Sequence, residues 1–419
     1  MLESSESLLP LPANSGKGPL RVVCIGIEDF PLEELERLLT TLGVKMVGSV
    51  RMTSRKINPA TYVGKGKLDE VKLLMETEKA DALIVDVELS PNQLRNVEGY
   101  VSKPTLDRPG IIIEIFSQHA RTKESKTQVE LARLQYLLPR LAHFWSHFER
   151  QRGGGVGNKG MGETQIEVDR RLVKKRMSVL QGRLDDIEKE RNVQRSGRED
   201  VLKVALVGYT NAGKSTLLNA LTQSRVLVED KLFATLDPSV RMMDSHCHPP
   251  IVAIDTVGFI SRLPTSLIAS FRSTLEELHH ADLLLHVVDG SSPEARDQRQ
   301  VTEDILKELG VEDKPRITIL NKADQLKGNI ARLIAPGSMA ISALNEKDVL
   351  KLRELILKHF RSALEVWEVV VPYSESRLEA KLHAHGSIEK TLHLEKGTFY
   401  RLRIDEGWAR KLELAKYKT

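Results

Sequence analysis

Gly208-Tyr209-Thr210-Asn211-Ala212-Gly213-Lys214-Ser215 has the residue types and spacing to hold a polyphosphate. Glycines let a loop wrap closely, so several backbone N–H groups can point at one anion. A lysine such as Lys214 can then reach the terminal phosphates, and the Ser215 hydroxyl can hold Mg²⁺. The apolar run 204–207 comes before the loop and the helix-like run 216–221 after it. Strand, loop, helix is the order that aims the positive end of a helix dipole at the same anion.

Three more motifs follow, each behind an apolar, strand-like run. Asp255-Thr256-Val257-Gly258 offers a carboxylate for a Mg²⁺-linked role and a glycine amide for the γ-phosphate. Asn321-Lys322-Ala323-Asp324 offers an Asp that can accept from both the N1 and N2 donors of guanine. Adenine lacks that donor pair, so the tetrapeptide selects GTP over ATP. In Ser342-Ala343-Leu344 a backbone amide can meet the guanine carbonyl. All four motifs fall at carboxyl ends of expected strands, where open parallel sheets bind ligands. Thr235, within 228–238, is the best second Mg²⁺ ligand. Lys214, Thr235 and Gly258 are the candidate catalytic groups.

Two neighbouring residues refine the chemistry. Phe259 stands where many GTPases carry a glutamine that orients the attacking water, and phenylalanine cannot hydrogen-bond water. Slow turnover without a partner is the expectation. The Asn211 side-chain carbonyl is a candidate ligand for K⁺ beside the phosphates.

These motifs need an α/β frame, a Ras-like P-loop G domain over residues 201–364. Residues 20–118 read as a smaller α/β domain with strands at 20–25, 44–50 and 82–87, helices at 31–42, 68–77 and 91–100, and a last buried strand at 111–116. Gly64-Lys65-Gly66-Lys67 reads as a solvated helix start. Residues 365–419 read as a small α+β domain without chemistry of its own, and residues 1–19 as a disordered tail.

Residues 119–200 read as an antiparallel helical hairpin. Leu131, Leu134, Leu138, Leu141, Trp145 and Phe148 recur at three- and four-residue steps, as do Val173, Met177, Leu180, Leu184 and Ile187. Between them the glycine-rich stretch 153–162 should break the helix and form the tip, and Pro139 should kink or restart the first helix. Residues 121–203 hold 19 Lys and Arg against 12 Asp and Glu, net +7 of a chain total of +4, so the remainder is near −3. Arg150, Arg152, Lys159, Arg170, Arg171, Lys174, Lys175 and Arg176 gather at the tip and on the returning helix. One-signed charge around a slim tip points to RNA.

Composition narrows the rest. The chain has 419 residues, enough for several cored domains, and a pI near 8.8 that by itself argues for no partner. No run approaches the ~20 apolar residues of a membrane span. Cys24 and Cys247 lie far apart, which fits a reduced cytoplasmic setting. Asp289 reads as a helix N-cap or fold support rather than a ligand, and His246-Cys247-His248 as a strand-end turn rather than a metal site.

From residue 20 onward the chain resembles the HflX family of ribosome-associated GTPases. The resemblance rests on Tyr62-Val63-Gly64-Lys65-Gly66-Lys67, on Gln128-Val129-Glu130-Leu131-Ala132 with Tyr136-Leu137-Leu138-Pro139-Arg140-Leu141, and on Gly160-Met161-Gly162-Glu163 leading to Asp169-Arg170-Arg171. The phosphate loop, Leu232-Phe233-Ala234-Thr235-Leu236-Asp237 and Asp255-Thr256-Val257-Gly258-Phe259-Ile260 also match. Arg108-Pro109-Gly110 departs from the pattern, with proline where a polar residue is expected. The resemblance implies nucleotide contacts at 208–215, 255–258, 321–324 and 342–344, and at Phe233, Ala234, Thr235, Leu236 and Asp237. It implies Mg²⁺ at Ser215 and Thr235, and a monomer that binds the 50S subunit and its rRNA and splits stalled or idle ribosomes. A ribosome-assembly checkpoint, or an RNA-remodelling protein with a second nucleotide site in residues 20–118, remains as an alternative.

Overall fold

The computed structural model describes residues 19–28, 31–53, 57–141, 159–196, 201–222, 232–233, 236, 239–244, 249–264, 267, 275–326 and 338–418. The chain forms two compact units. The first holds residues 1–191 with 230–237 and 262–273, and the second holds 192–229, 238–261 and 274–419. The tail, Trp145, Phe148, the glycines 153–157 and the His246–His248 turn lie outside the described residues. So do Ala234, Thr235 and Asp237.

The first unit is built on a parallel sheet of β1 (Arg21–Ile27), β2 (Lys45–Met52), β3 (Ala82–Val85) and β4 (Thr105–Asp107), in the order β2-β1-β3-β4. Crossover helices α1 (Leu32–Thr41), α2 (Lys65–Thr77) and α3 (Pro91–Val101) connect the strands, as parallel pairing requires. The α2 helix starts at Lys65 with Gly64 as its N-cap, so the Gly-Lys-Gly-Lys stretch is a helix start. Ser90 and Gln93 close a reciprocal capping box on α3.

One expected strand is a helix. Residues 111–116 lie inside α4 (Arg108–His119), which begins with Pro109 in its first turn and Asp107 as its N-cap. Its middle is buried on every side, from Ile111 to Phe116. A helix covered all round shows no 3.6-residue pattern, so its apolar run reads like an interior strand. Proline in the first turn costs nothing there, because that N–H has no partner within the helix. Pro109 therefore opens a helix.

The hairpin roots in this unit. Helix α5 (Lys123–Leu137) ends where Pro139 enters a 3₁₀ turn, Leu138–Arg140. Helix α6 (Lys159–Ser196) returns, and Leu131, Leu134, Met177, Leu180 and Leu184 form their shared seam. Glu130 receives two hydrogen bonds from Arg176, at 2.7 and 3.0 Å, and Glu124 pairs with Arg191 at 2.6 Å, so the helices run antiparallel. The expected break narrows, since Gly160 and Gly162 lie within helical backbone. Each costs about 1 kcal/mol there, which a 38-residue helix absorbs.

The second unit holds a six-stranded sheet in the order β10-β9-β8-β5-β7-β6. Its strands are β5 (Leu202–Gly208), β6 (Ser239–Asp244), β7 (Ile251–Asp255), β8 (Leu283–Asp289), β9 (Arg316–Asn321) and β10 (Met339–Ala340). All pairings are parallel except β6 with β7. Helices α7 (Lys214–Thr222), α8 (Ala295–Glu308) and α9 (Glu346–Ala363) accompany it, and Leu217, Leu218, Leu352 and Ile356 share one core with Val204, Leu206 and Leu285. A three-stranded antiparallel sheet, order β11-β13-β12, closes the chain with β11 (Glu365–Val371), β12 (Ser387–Leu394) and β13 (Gly397–Ile404). Its core includes Val369, Leu382, Tyr400 and Leu402. Among the described residues no helix is long and apolar enough to cross a membrane.

Candidate nucleotide site

The four motifs lie at the carboxyl ends of β5, β7, β9 and β10, which are neighbours in one sheet or separated by a single strand. The loop between β5 and α7 carries Tyr209 to Gly213. Gly213 has φ +91, and a Cβ there would lie 2.2 Å from the Asn321 side-chain nitrogen. Only glycine satisfies both the backbone and that close approach. Asn211 also takes a positive φ, +61, which asparagine tolerates better than most residues.

Lys214 opens α7 and folds back over its own loop. Its Nζ donates to the Gly208 carbonyl at 3.0 Å and the Tyr209 carbonyl at 2.8 Å. Burial pulls its pKa down to about 8, and the nearby Asp255 carboxylate opposes that shift. A buried ammonium short of counter-charge is a receptor for an anion. Ser215 Oγ donates to Asp255 Oδ2 at 2.7 Å. These are hard oxygen donors from two motifs, brought side by side as a Mg²⁺ site needs. Thr256 is fully buried and spends its hydroxyl on the Leu206 carbonyl at 2.6 Å, which bolts the Asp255–Gly258 motif beneath β5.

The base-recognition side is tied to the phosphate side through Asn321. Its Nδ2 donates to the Ala212 carbonyl at 2.9 Å, and its Oδ1 accepts from the Ala343 amide at 3.0 Å. Lys322, at φ +62, pairs with Asp289 at 2.8 Å, which makes Asp289 a support for this loop. The Ala323 amide donates to the Ile341 carbonyl at 3.0 Å. Asp324 is exposed, free to face a base, while Ser342 is buried and Leu344 is 80% exposed.

Phe259 is 1% exposed and forms a parallel bridge with Tyr209. Its side chain is core, not a water-positioning group. Val257 is also buried. Phe233 and Leu236 are buried within the first unit, where the Phe233 ring meets Phe116 edge-on at 4.7 Å.

Several structural residues escaped sequence reading. Asp107 accepts from Tyr136 Oη at 2.8 Å, Arg140 at 3.2 Å and the Leu89 amide at 3.1 Å. Arg140 also lies over the Tyr136 ring at 3.8 Å. The visible signal was Asp107 two residues before Pro109, a helix-start pattern. Asp86, Arg108, Glu34 and Arg262 form a second charged cluster, with no sequence motif to announce it.

Family models and relatives match most of the chain. Family models described as GTP-binding GTPase N-terminal, GTP-binding GTPase Middle Region and 50S ribosome-binding GTPase match residues 30–117, 119–198 and 203–322. A GTPase HflX from Caldanaerobacter subterraneus is 42% identical, covering 90% of this chain and 89% of its own. Another from Magnetococcus marinus is 44% identical, covering 85% and 84%. The Escherichia coli K12 protein of that name is 38% identical, covering 88% of each. A solved GTP-binding protein from Sulfolobus solfataricus in complex with GDP is 26% identical, with a TM-score of 0.43, covering 81% of this chain and 98% of that one.

Proposed function

Since the chain belongs to the GTPase HflX family, we propose that it is a GTP hydrolase, slow alone, whose turnover is stimulated by the large ribosomal subunit and which splits stalled or idle ribosomes. Burial of Phe259 carries the slow-turnover part of this reading. Hydrolysis is attack of water on the γ-phosphate, and such sites work by positioning and charge stabilisation. The residue after Gly258 offers nothing to orient that water, so a partner must supply or reorder a group.

In this reading Lys214 and the loop amides hold the β- and γ-phosphates, and the Gly258 amide faces the γ-phosphate. The exposed Asp324 carboxylate reads the guanine N1 and N2 donors. Ser215 is the Mg²⁺ ligand, with Asp255 beside it and Thr235 as the second ligand. A bound Mg²⁺ would supply charge neutralisation for the phosphates as negative charge builds on them. Asn211 is the K⁺ ligand, and equal rates in K⁺ and Na⁺ would remove that role.

The partner side rests on α6 and on the description of the family model over residues 203–322 as a 50S ribosome-binding GTPase. Arg170, Arg171, Lys174 and Lys175 are all exposed on α6. Such a basic face suits an rRNA backbone. The test is steady-state GTP hydrolysis by the full chain, alone and with 50S subunits, repeated with Lys214→Ala. Strong stimulation that the variant loses supports the reading. Equal rates with and without subunits would sink it. Binding to assembly precursors but not to mature 70S particles would redirect it to assembly.

A further inference from the structure

β6 and β7 pair antiparallel, and their register sets Ser239 directly opposite Asp255. Residues opposed in this way point to the same face of a sheet, with Cβ atoms about 4.5–5.5 Å apart. For Asp255 that is the face α7 covers. Its alternate strand neighbours Ile251 and Ala253 share a core with Leu217 and Leu218 of α7, and its Oδ2 accepts from Ser215 Oγ at 2.7 Å. The other face of β6 is open, where Val240 and Met242 are exposed.

Ser239 Oγ is buried and has no hydrogen-bond partner among the described residues. A hydroxyl taken out of water without a partner is costly. This one stands beside two oxygen donors that already meet, Ser215 at the start of α7 and Asp255 at the end of β7. It does not bond the carboxylate across the strand pair, a spacing that a bridging water fills. Mg²⁺ is held by few protein oxygens and keeps several of its waters. Those waters need acceptors, and groups outside the ring of direct ligands set how tightly a metal is held.

We propose that Ser239 is a positioning residue of the metal site, whose hydroxyl accepts a hydrogen bond from a water carried by the Mg²⁺ that Ser215 binds. This rests on reading Ser215 and Asp255 as the Mg²⁺ side of a GTP and GDP site. Ser239 is fixed in the β6–β7 ladder, so its hydroxyl stands in place before the nucleotide and its ion arrive. The ordering cost of the hydrated ion falls accordingly.

The test is equilibrium binding of GDP to the full chain, over a magnesium chloride titration and in EDTA, for the wild type, Ser239→Ala and Ser239→Thr. In Ser239→Ala the Mg²⁺ concentration that gives half of the gain in GDP affinity should rise about tenfold, with GDP affinity in EDTA unchanged. Ser239→Thr keeps the hydroxyl on a side chain that suits a strand, and its midpoint should stay within about twofold of wild type. An unmoved midpoint in Ser239→Ala overturns the proposal. So does an equal loss of GDP affinity with and without Mg²⁺, which marks a packing defect, and so does a threonine variant that shifts as far as alanine. A wild type whose GDP affinity ignores Mg²⁺ would overturn the metal-site reading beneath the proposal, and the proposal with it.

Discussion

Asn321 and Ala212, 109 residues apart, are joined by a 2.9 Å hydrogen bond from the Asn321 side-chain amide to the Ala212 carbonyl. The same side chain accepts from the Ala343 amide at 3.0 Å. One buried residue thus registers the phosphate loop against both base-recognition motifs. Asn321→Ala leaves a buried carbonyl and a buried amide without their partner, which costs about 1–3 kcal/mol. We expect a lower unfolding temperature and a loss of GDP affinity of at least about tenfold. Calorimetric titration measures the affinity, and unchanged binding would contradict the registering role.

Lys214 separates stability from binding. Its ammonium is buried, with a pKa pulled down to about 8, so the empty protein carries the cost of that charge. Lys214→Met removes the cost, worth on the order of 1–3 kcal/mol. The nucleotide-free variant should unfold at the same temperature as wild type or higher, while nucleotide affinity collapses. A variant that unfolds early in the absence of nucleotide would show that Lys214 is needed for the fold.

Asp324 sets base identity. In the proposed reading its carboxylate accepts from two donors on guanine, and Asp324→Asn replaces one acceptor by a donor. Xanthine presents an oxygen at that edge, so the variant should prefer xanthosine over guanosine nucleotides, with a swing of about 100-fold or more. Competition binding of GDP against XDP reads this directly. Retained GDP preference would place recognition elsewhere.

His286 gives the protein an acid-sensitive core. It is fully buried on β8, and neither ring nitrogen has a hydrogen-bond partner. Burial lowers its pKa to about 3, and Arg316, Arg299 and Lys214 push it the same way. An unfolded histidine titrates near 6.5, so between about pH 6.5 and 3 the unfolded chain holds more protons. Stability is therefore lost as pH falls through that window. His286→Leu should lose less over it, by on the order of 2–4 kcal/mol, in denaturant titrations run at several pH values. Parallel pH profiles for the two proteins would rule this out.

The basic face of α6 should act through charge. Arg171, Lys174 and Lys175 are exposed, and changing all three to Glu should weaken 50S binding and flatten its salt dependence. Basal hydrolysis without subunits should not change. If the salt slope stays the same, the subunit contact lies elsewhere.

The candidate nucleotide site could be proposed from the sequence because its parts are local. A glycine loop, a lysine and a serine within eight positions carry their chemistry wherever the strand before them ends, and the parallel sheet brings four such ends together. The hairpin seam at Leu131, Leu180 and Leu184 was legible for the same reason, since helical periodicity survives in one half-buried face. Residues 111–116 were not, because a helix buried on all sides erases the pattern that separates it from an interior strand. The cluster of Asp86, Arg108, Glu34 and Arg262 was invisible too. Asp86 and Arg262 are 176 positions apart, and no local rule links a carboxylate to an arginine at that separation. Sequence alone pointed to the class of chemistry, GTP hydrolysis, because residue type and short-range spacing are what a phosphate-holding, base-reading loop set requires. Only the tertiary structure decided which buried charges meet. Burying them is favourable only where counter-charges converge, and that convergence is a property of the folded chain.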